Sequence, residues 1–279
     1  MINTIAHIVL PIHALPFFVQ DAKISLERNM SGHSKWSTIK RQKGVTDARR
    51  GQLFTKLARE ITIIVREGGP SLENNFQLRL AVQRARDNNM PSENIERAIK
   101  RGSGGVEGSD LIEMTLEGYG PGGVAVLVKA LTDNRNRTVQ EVRRFFVRHG
   151  SSLGESGCVA WLFENKGMIT VESDGAGAEE IALQAIDVGA EDVRTEKGYI
   201  EIYTQPHDLE EVRKVIEKGN RVISAELVLV PKSTVLIGGK EAAQALNFLD
   251  QLEELDDVQR VFSNIDFSDA TLDELRSRT

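Results

Sequence analysis

Between Asp47 and Glu67 the apolar residues Leu53, Phe54, Leu57, Ala58, Ile61, Ile64 and Val65 recur at helical spacing. At about 100° per residue they fill one arc of roughly 140°. Arg49, Lys56, Arg59 and Arg66 project from the other side, and Gly68-Gly69-Pro70 stops the helix. A second helix is predicted from about Asn75 to Asn88, with Leu78, Ala81, Val82 and Ala85 facing inward. A third begins at Pro91, whose fixed φ suits a first turn, buries Ile95, Ala98 and Ile99, and ends at Gly102. Three short amphipathic helices can share one small core.

After Gly102 the period changes. Leu111 to Glu117 alternates as a strand, Gly118-Tyr119-Gly120-Pro121-Gly122-Gly123 turns, and Val124 to Leu131 is a continuous apolar strand. A helix from about Val139 to His149 follows, with Thr138 and Glu141 at the spacing of a capping box. Strands are expected at Ser156–Glu164 and Met168–Glu172. Next come a helix at Ala176–Val188, strands at Ala190–Thr195 and Gly198–Thr204, a helix at Asp208–Lys218 and a strand at Arg221–Pro231. From Met168 the order is βαββαβ, that of a ferredoxin-like unit. A helix at Lys240–Leu255 and a strand at Val258–Ser263 remain. They cannot extend a completed unit, so they are expected to return to the earlier ββαβ piece.

The predicted fold is therefore α+β and multidomain: an N-terminal three-helix domain followed by two α/β domains, one ferredoxin-like and inserted in the other. The expected boundaries are a basic helical domain at 30–104, a discontinuous α/β domain at 105–166 plus 233–266, and an inserted ferredoxin-like domain at 167–232. Pro231-Lys232-Ser233 and Glu164-Asn165-Lys166-Gly167 would be the paired hinges, and 267–279 an acidic tail.

Charge sharpens this division. Lys and Arg number 35 against 41 Asp and Glu, a net of −6. From Met30 to Arg101 there are 15 basic and 7 acidic residues, a net of +8; from Gly102 onward there are 18 and 32, a net of −14. Such asymmetry marks surfaces for different partners. The first 29 residues sum to zero. Their apolar run, Ile5 to Val19, is interrupted by Pro11 and Pro16 and is shorter than a membrane span of about 20 residues. It lacks the opening cations of a secretory signal. Residues 1–29 are read as an upstream extension with Met30 as the start. The single cysteine, Cys158, excludes an intrachain disulfide framework.

The segment Lys35-Trp36-Ser37-Thr38-Ile39-Lys40-Arg41-Gln42-Lys43 holds four cations and an indole. Cations neutralise phosphates and release counterions, and an aromatic ring stacks on unpaired bases. Arg135 and Arg137 precede the expected helix at Val139, where free backbone amides would complete an anion site; the alternative is pairing with Asp133 or acidic neighbours. The glycine run at 118–123 is not a phosphate loop, because no Gly-Lys-Ser/Thr follows and it leads into a strand. No metal-ligand spacing and no set of nucleophile, base and orienter emerges. Catalytic residues, cofactors and a membrane partner are not expected.

Five collinear stretches resemble the YebC/PmpR family: Met30-Ser31-Gly32-His33-Ser34-Lys35-Trp36, Arg50-Gly51-Gln52-Leu53-Phe54-Thr55-Lys56-Leu57, Asn88-Asn89-Met90-Pro91, Glu117-Gly118-Tyr119-Gly120-Pro121-Gly122-Gly123 and Thr132-Asp133-Asn134-Arg135-Asn136-Arg137-Thr138. The resemblance runs from Met30 to about Asp266. It implies a cytoplasmic protein of three domains. Members are commonly described as transcriptional regulators that bind DNA, mitochondrial relatives as translational activators, and bacterial members have been linked to ribosomes stalled on proline-rich sequences. The expectation is a non-enzymatic regulator of gene expression with DNA or ribosomal RNA as partner. Its expected contacts are Lys35, Trp36, Lys40, Arg41, Lys43, Arg49, Arg50, Lys56 and Arg59, with Arg135 and Arg137 as a second contact. The rival reading is a ligand-sensing or scaffolding protein working through its ferredoxin-like unit.

Overall fold

The computed structural model describes residues 47–104, 111–175, 177–196, 198–268 and 271. Three helices come first: α1 (Asp47–Gly68), α2 (Phe76–Asp87) and α3 (Ser92–Gly102). Their apolar stripes meet in one core, with Leu57, Ile61, Leu78, Ala85 and Ile95 buried. Asn75 sets the corner between α1 and α2. Its side-chain oxygen accepts from the Leu78 amide at 3.0 Å and caps α2, while its nitrogen donates to the carbonyls of Ile64 and Gly69 at 3.1 and 2.9 Å.

Strands β1 (Ile112–Tyr119) and β2 (Ala125–Thr132) then form a hairpin. Gly122 and Gly123 sit in its turn at φ 73° and 72°, the left-handed region that glycine enters without strain. The rest of the chain runs α4 (Arg135–Arg148), β3 (Ser152–Leu153), β4 (Phe163–Glu172), α5 (Ala178–Asp187), β5 (Asp192–Glu196), β6 (Tyr199–Thr204), α6 (Leu209–Ile216), β7 (Val222–Pro231), β8 (Val235–Ile237), α7 (Gly239–Glu253), β9 (Val258–Ser263) and β10 (Ile265–Phe267).

Two four-stranded antiparallel sheets result. One has the order β5-β6-β4-β7, the ferredoxin-like arrangement of its four strands. The other has the order β3-β1-β2-β9, so β9 reaches back across the ferredoxin-like unit to pair with β2. A short parallel pair, β8 with β10, completes the fold. On one face of the β3-β1-β2-β9 sheet, Val126 and Val128 pack with Val142 and Phe146 of α4 and Phe248 and Leu249 of α7. The other face meets the ferredoxin-like sheet, where Ala125, Leu127 and Phe262 touch Phe163, Met168 and Val228. Cover on both faces is why β2 reads as an unbroken apolar run.

Two expectations fail between Ser156 and Glu172. There is one strand, β4, rather than two, and Cys158 lies in a bend ahead of it instead of in a strand. The cause is Glu117. Its buried carboxylate accepts from the backbone amides of Gly157, Val159 and Ala160 at 2.7, 2.9 and 2.8 Å, which takes them out of any ladder. The break expected at 164–167 is also absent, since β4 pairs with β7 continuously from Phe163↔Pro231 to Thr170↔Ser224. Gly167 serves close packing: a Cβ there would meet the Thr204 hydroxyl and lie 2.8 Å from Leu209 Cβ.

Burial alone would raise the Glu117 pKa, but the three amide bonds outweigh it and hold the carboxyl below its ordinary range. An amide side chain presents one acceptor where this loop needs three bonds. Glu117→Gln is expected to destabilise the chain by about 1–3 kcal/mol in urea unfolding and to speed amide exchange across 154–162. Unchanged exchange there would show that the carboxylate does not organise the loop.

Candidate nucleic-acid interface

Lys35, Trp36, Lys40, Arg41 and Lys43 lie outside the described residues. Arg49 falls in the first turn of α1, and Arg50 is exposed beside it. The next two cations are not on an open surface. Lys56 is only 9% exposed, and its Nζ donates to the carbonyls of Glu253 and Leu255 at 2.5 and 2.9 Å. Arg59 donates to the Asp256 carbonyl at 3.0 Å and to Asp257 Oδ1 at 3.3 Å. This corrects their reading as phosphate contacts. The end of α7 leaves carbonyls without intrahelical partners, and the polar face of α1 supplies the donors.

The Arg135/Arg137 loop is also rearranged. Helix α4 begins at Arg135 and is capped by Asn134, whose Oδ1 accepts from the Arg137 amide at 3.1 Å. Thr138 is therefore not the cap. It is fully buried in the helix, with Oγ1 donating to Asp257 Oδ2 at 2.7 Å. Arg137 Nη2 joins the same carboxylate at 2.9 Å and Asp133 at 2.7 Å. The pairing alternative holds for Arg137. Arg135 is exposed, with no ion pair among the described residues.

Asp257 thus gathers α1, the end of β2 and the first turn of α4 around one side chain. Thr132 Oγ1 donates to Oδ2 as well, at 3.1 Å. Burial would raise the Asp257 pKa, but the bonds from Thr138, Arg137 and Thr132, with the Arg137 charge, hold it below the ordinary aspartate value.

Cations that sequence reasoning passed over occupy two helix faces. On α3, Arg97, Lys100 and Arg101 lie at i, i+3 and i+4 opposite buried Ile95 and Ala98, and all three are exposed. Helix α4 carries five arginines and one carboxylate, Glu141. Val142, Phe145 and Phe146 are buried against the sheet, while Arg143, Arg144 and Arg148 are exposed without an ion pair among the described residues. Arg144 and Arg148 are like charges one turn apart, which weakens a helix standing alone and favours an anionic neighbour. The signal was legible as basic residues at helical spacing, but the net of −14 after Gly102 hid it.

Among the described residues no group of His, Cys, Asp and Glu is placed to hold a metal ion, and no helix is long and apolar enough to cross a membrane. Cys158 is half-buried, and burial followed by the nearby Glu117 charge pushes its thiol pKa up, away from the reactive thiolate.

Residues 34–105 match the description "TACO1/YebC protein N-terminal domain", and residues 111–265 match "TACO1/YebC second and third domain". The chain belongs to the TACO1/YebC family. A probable transcriptional regulatory protein of Dehalococcoides mccartyi (strain CBDB1) is 58% identical over 250 residues, 89% of this chain and 100% of that protein. Another with the same description, from Thermotoga maritima, is 50% identical over 250 residues, 89% of this chain and 99% of its own. Among solved structures, a conserved hypothetical protein of Aquifex aeolicus is similar with a TM-score of 0.73 at 50% identity, covering 80% of this chain and 93% of that one. In TACO1/YebC terms, the α3 cations fall in the N-terminal domain and the α4 arginines in the second-and-third-domain region.

Proposed function

We propose that this chain is a non-enzymatic regulator of gene expression that docks on nucleic acid through cationic helix faces. The observation that carries the reading is α4: five arginines, four of them exposed and without an ion pair among the described residues, on a part of the chain that otherwise nets strongly negative. Phosphate neutralisation provides most of the affinity. Lys35, Trp36, Lys40, Arg41 and Lys43 add cations and a stacking ring ahead of α1, and α3 carries a basic face of its own. Contacts to phosphate carry no sequence information, so sequence specificity is weak. The acidic remainder repels phosphate elsewhere and orients the approach. The names of the relatives support a role in transcription; the ribosome is the second target this surface suits, being large, curved and rich in phosphate.

Sedimentation of the tagged chain through a sucrose gradient, with and without nuclease, tests the reading. Comigration with ribosomes points to translation, and retention on promoter DNA alone points to transcription. A chain that comigrates with neither and binds no DNA would overturn nucleic-acid docking and favour a scaffold.

A further inference from the structure

The three-helix domain meets both sheets across a cleft of about 270 Å³. Ile63, Leu80 and Phe262 give it apolar walls. Two guanidiniums line it, each held by a carboxylate: Arg84 by Glu60 at 2.7 Å and Arg260 by Glu226 at 2.9 Å. Gln259 stands at its wall in an unusual way. Along the β2–β9 ladder Lys129 faces Arg260 and Ala130 faces Val258, so Gln259 is the extra residue of a β-bulge. Bulges give up ladder hydrogen bonds and re-aim a side chain, often beside a functional site. The Gln259 amide is shut off from solvent, yet neither Nε2 nor Oε1 has a hydrogen-bond partner. Buried amides ordinarily find partners. Gln259 lines the cleft, and with a change of side-chain rotamer its two amide atoms would serve a group with a donor and an acceptor side by side.

We propose that this cleft binds an adenine base, with Gln259 accepting from the exocyclic amine and donating to the adjacent ring nitrogen. That bidentate match is how glutamine reads adenine edges. The fixed guanidinium planes of Arg84 and Arg260 offer stacking surfaces for a heterocycle. The cavity suits a base with its sugar, at the small end of ligand sites. Its lining holds Glu60, Glu67, Glu113 and Glu226 against Arg84, Lys129 and Arg260, which does not favour a polyphosphate. The ligand is therefore a nucleoside, or a single base splayed out of a nucleic acid. Because the cleft is lined by none of the exposed α3 or α4 cations, the site stands whether or not those faces bind phosphate.

Calorimetric titration of the full chain with adenosine, guanosine, oligo(A) and oligo(U) tests it, in parent and in Gln259→Leu and Gln259→Glu variants. Adenosine is expected to bind about ten-fold or more tightly than guanosine if the source is a free nucleoside. A preference for oligo(A) over oligo(U), without adenosine binding, identifies an extruded base. Both variants should lose the adenine preference. Gln259→Leu should keep or raise the thermal midpoint, because it removes an unpaired buried amide. No adenine preference in the parent, or the same preference in both variants, overturns the proposal.

Discussion

Replacing Asp257 by alanine should cost roughly 3 kcal/mol of stability, the scale of breaking a buried charge cluster from one side. Four donors converge on this carboxylate. Thr132, Thr138 and Arg137 share Oδ2, and Arg59 reaches Oδ1 across the boundary between the three-helix domain and the sheet. The alanine removes the acceptor that Thr132 and Thr138 share, strips Arg59 of its paired carboxylate and leaves Arg137 with Asp133 alone. Asp257→Asn keeps an acceptor for the threonines and loses only the charge, so its loss should be smaller. The pH dependence has a definite sign. The folded pKa lies below the ordinary value of about 3.8, so the stabilisation is present above that pH and drains away as the pH falls through the folded value. Parent and alanine variant should therefore converge in acid. Urea midpoints measured from neutral pH downward check both statements, and equal midpoints at pH 7 would remove Asp257 as a tie.

Reversal of Arg143, Arg144 and Arg148 to glutamate is expected to weaken nucleic-acid binding by more than an order of magnitude near 0.1 M salt. The slope of log K against log salt should flatten by about 2 to 3, since each lost phosphate contact removes roughly 0.7 to 0.9. The fold should hold, because these three side chains are exposed while Val142, Phe145 and Phe146 carry the packing of α4. Fluorescence anisotropy across a salt series reads the slope directly. An unchanged slope would take α4 out of the interface and leave binding to the segment around Lys40 and Arg41.

Most of the helices and strands were legible because periodicity reports burial. The arc of α1, the alternation of β1 and the βαββαβ order from Met168 each follow from local sequence. Two of the failures share one cause: a single buried acceptor took over backbone or side-chain groups that local signals had assigned elsewhere. Glu117 claimed the amides of Gly157, Val159 and Ala160, so a segment with strand composition became a turn. Asp257 claimed Thr138 and Arg137, so a capping box became a buried node and Asn134 took the cap.

The same division applies to the candidate site. Which residues are cationic, and that they gather before Gly102, is written in the chain. Which cations face outward is not. Lys56 and Arg59 lie on the polar arc of an amphipathic helix, and only the tertiary contact with the end of α7 turns them inward. Arg143, Arg144 and Arg148 of α4 stay outward because the apolar stripe beside them is spent on the sheet. Sequence by itself determined the elements, the fold class and the charge split, because those depend on spacing and composition. Only the tertiary structure decided which charges are spent inside the molecule and which remain for a partner, because pairing depends on residues as far apart as Arg59 and Asp257.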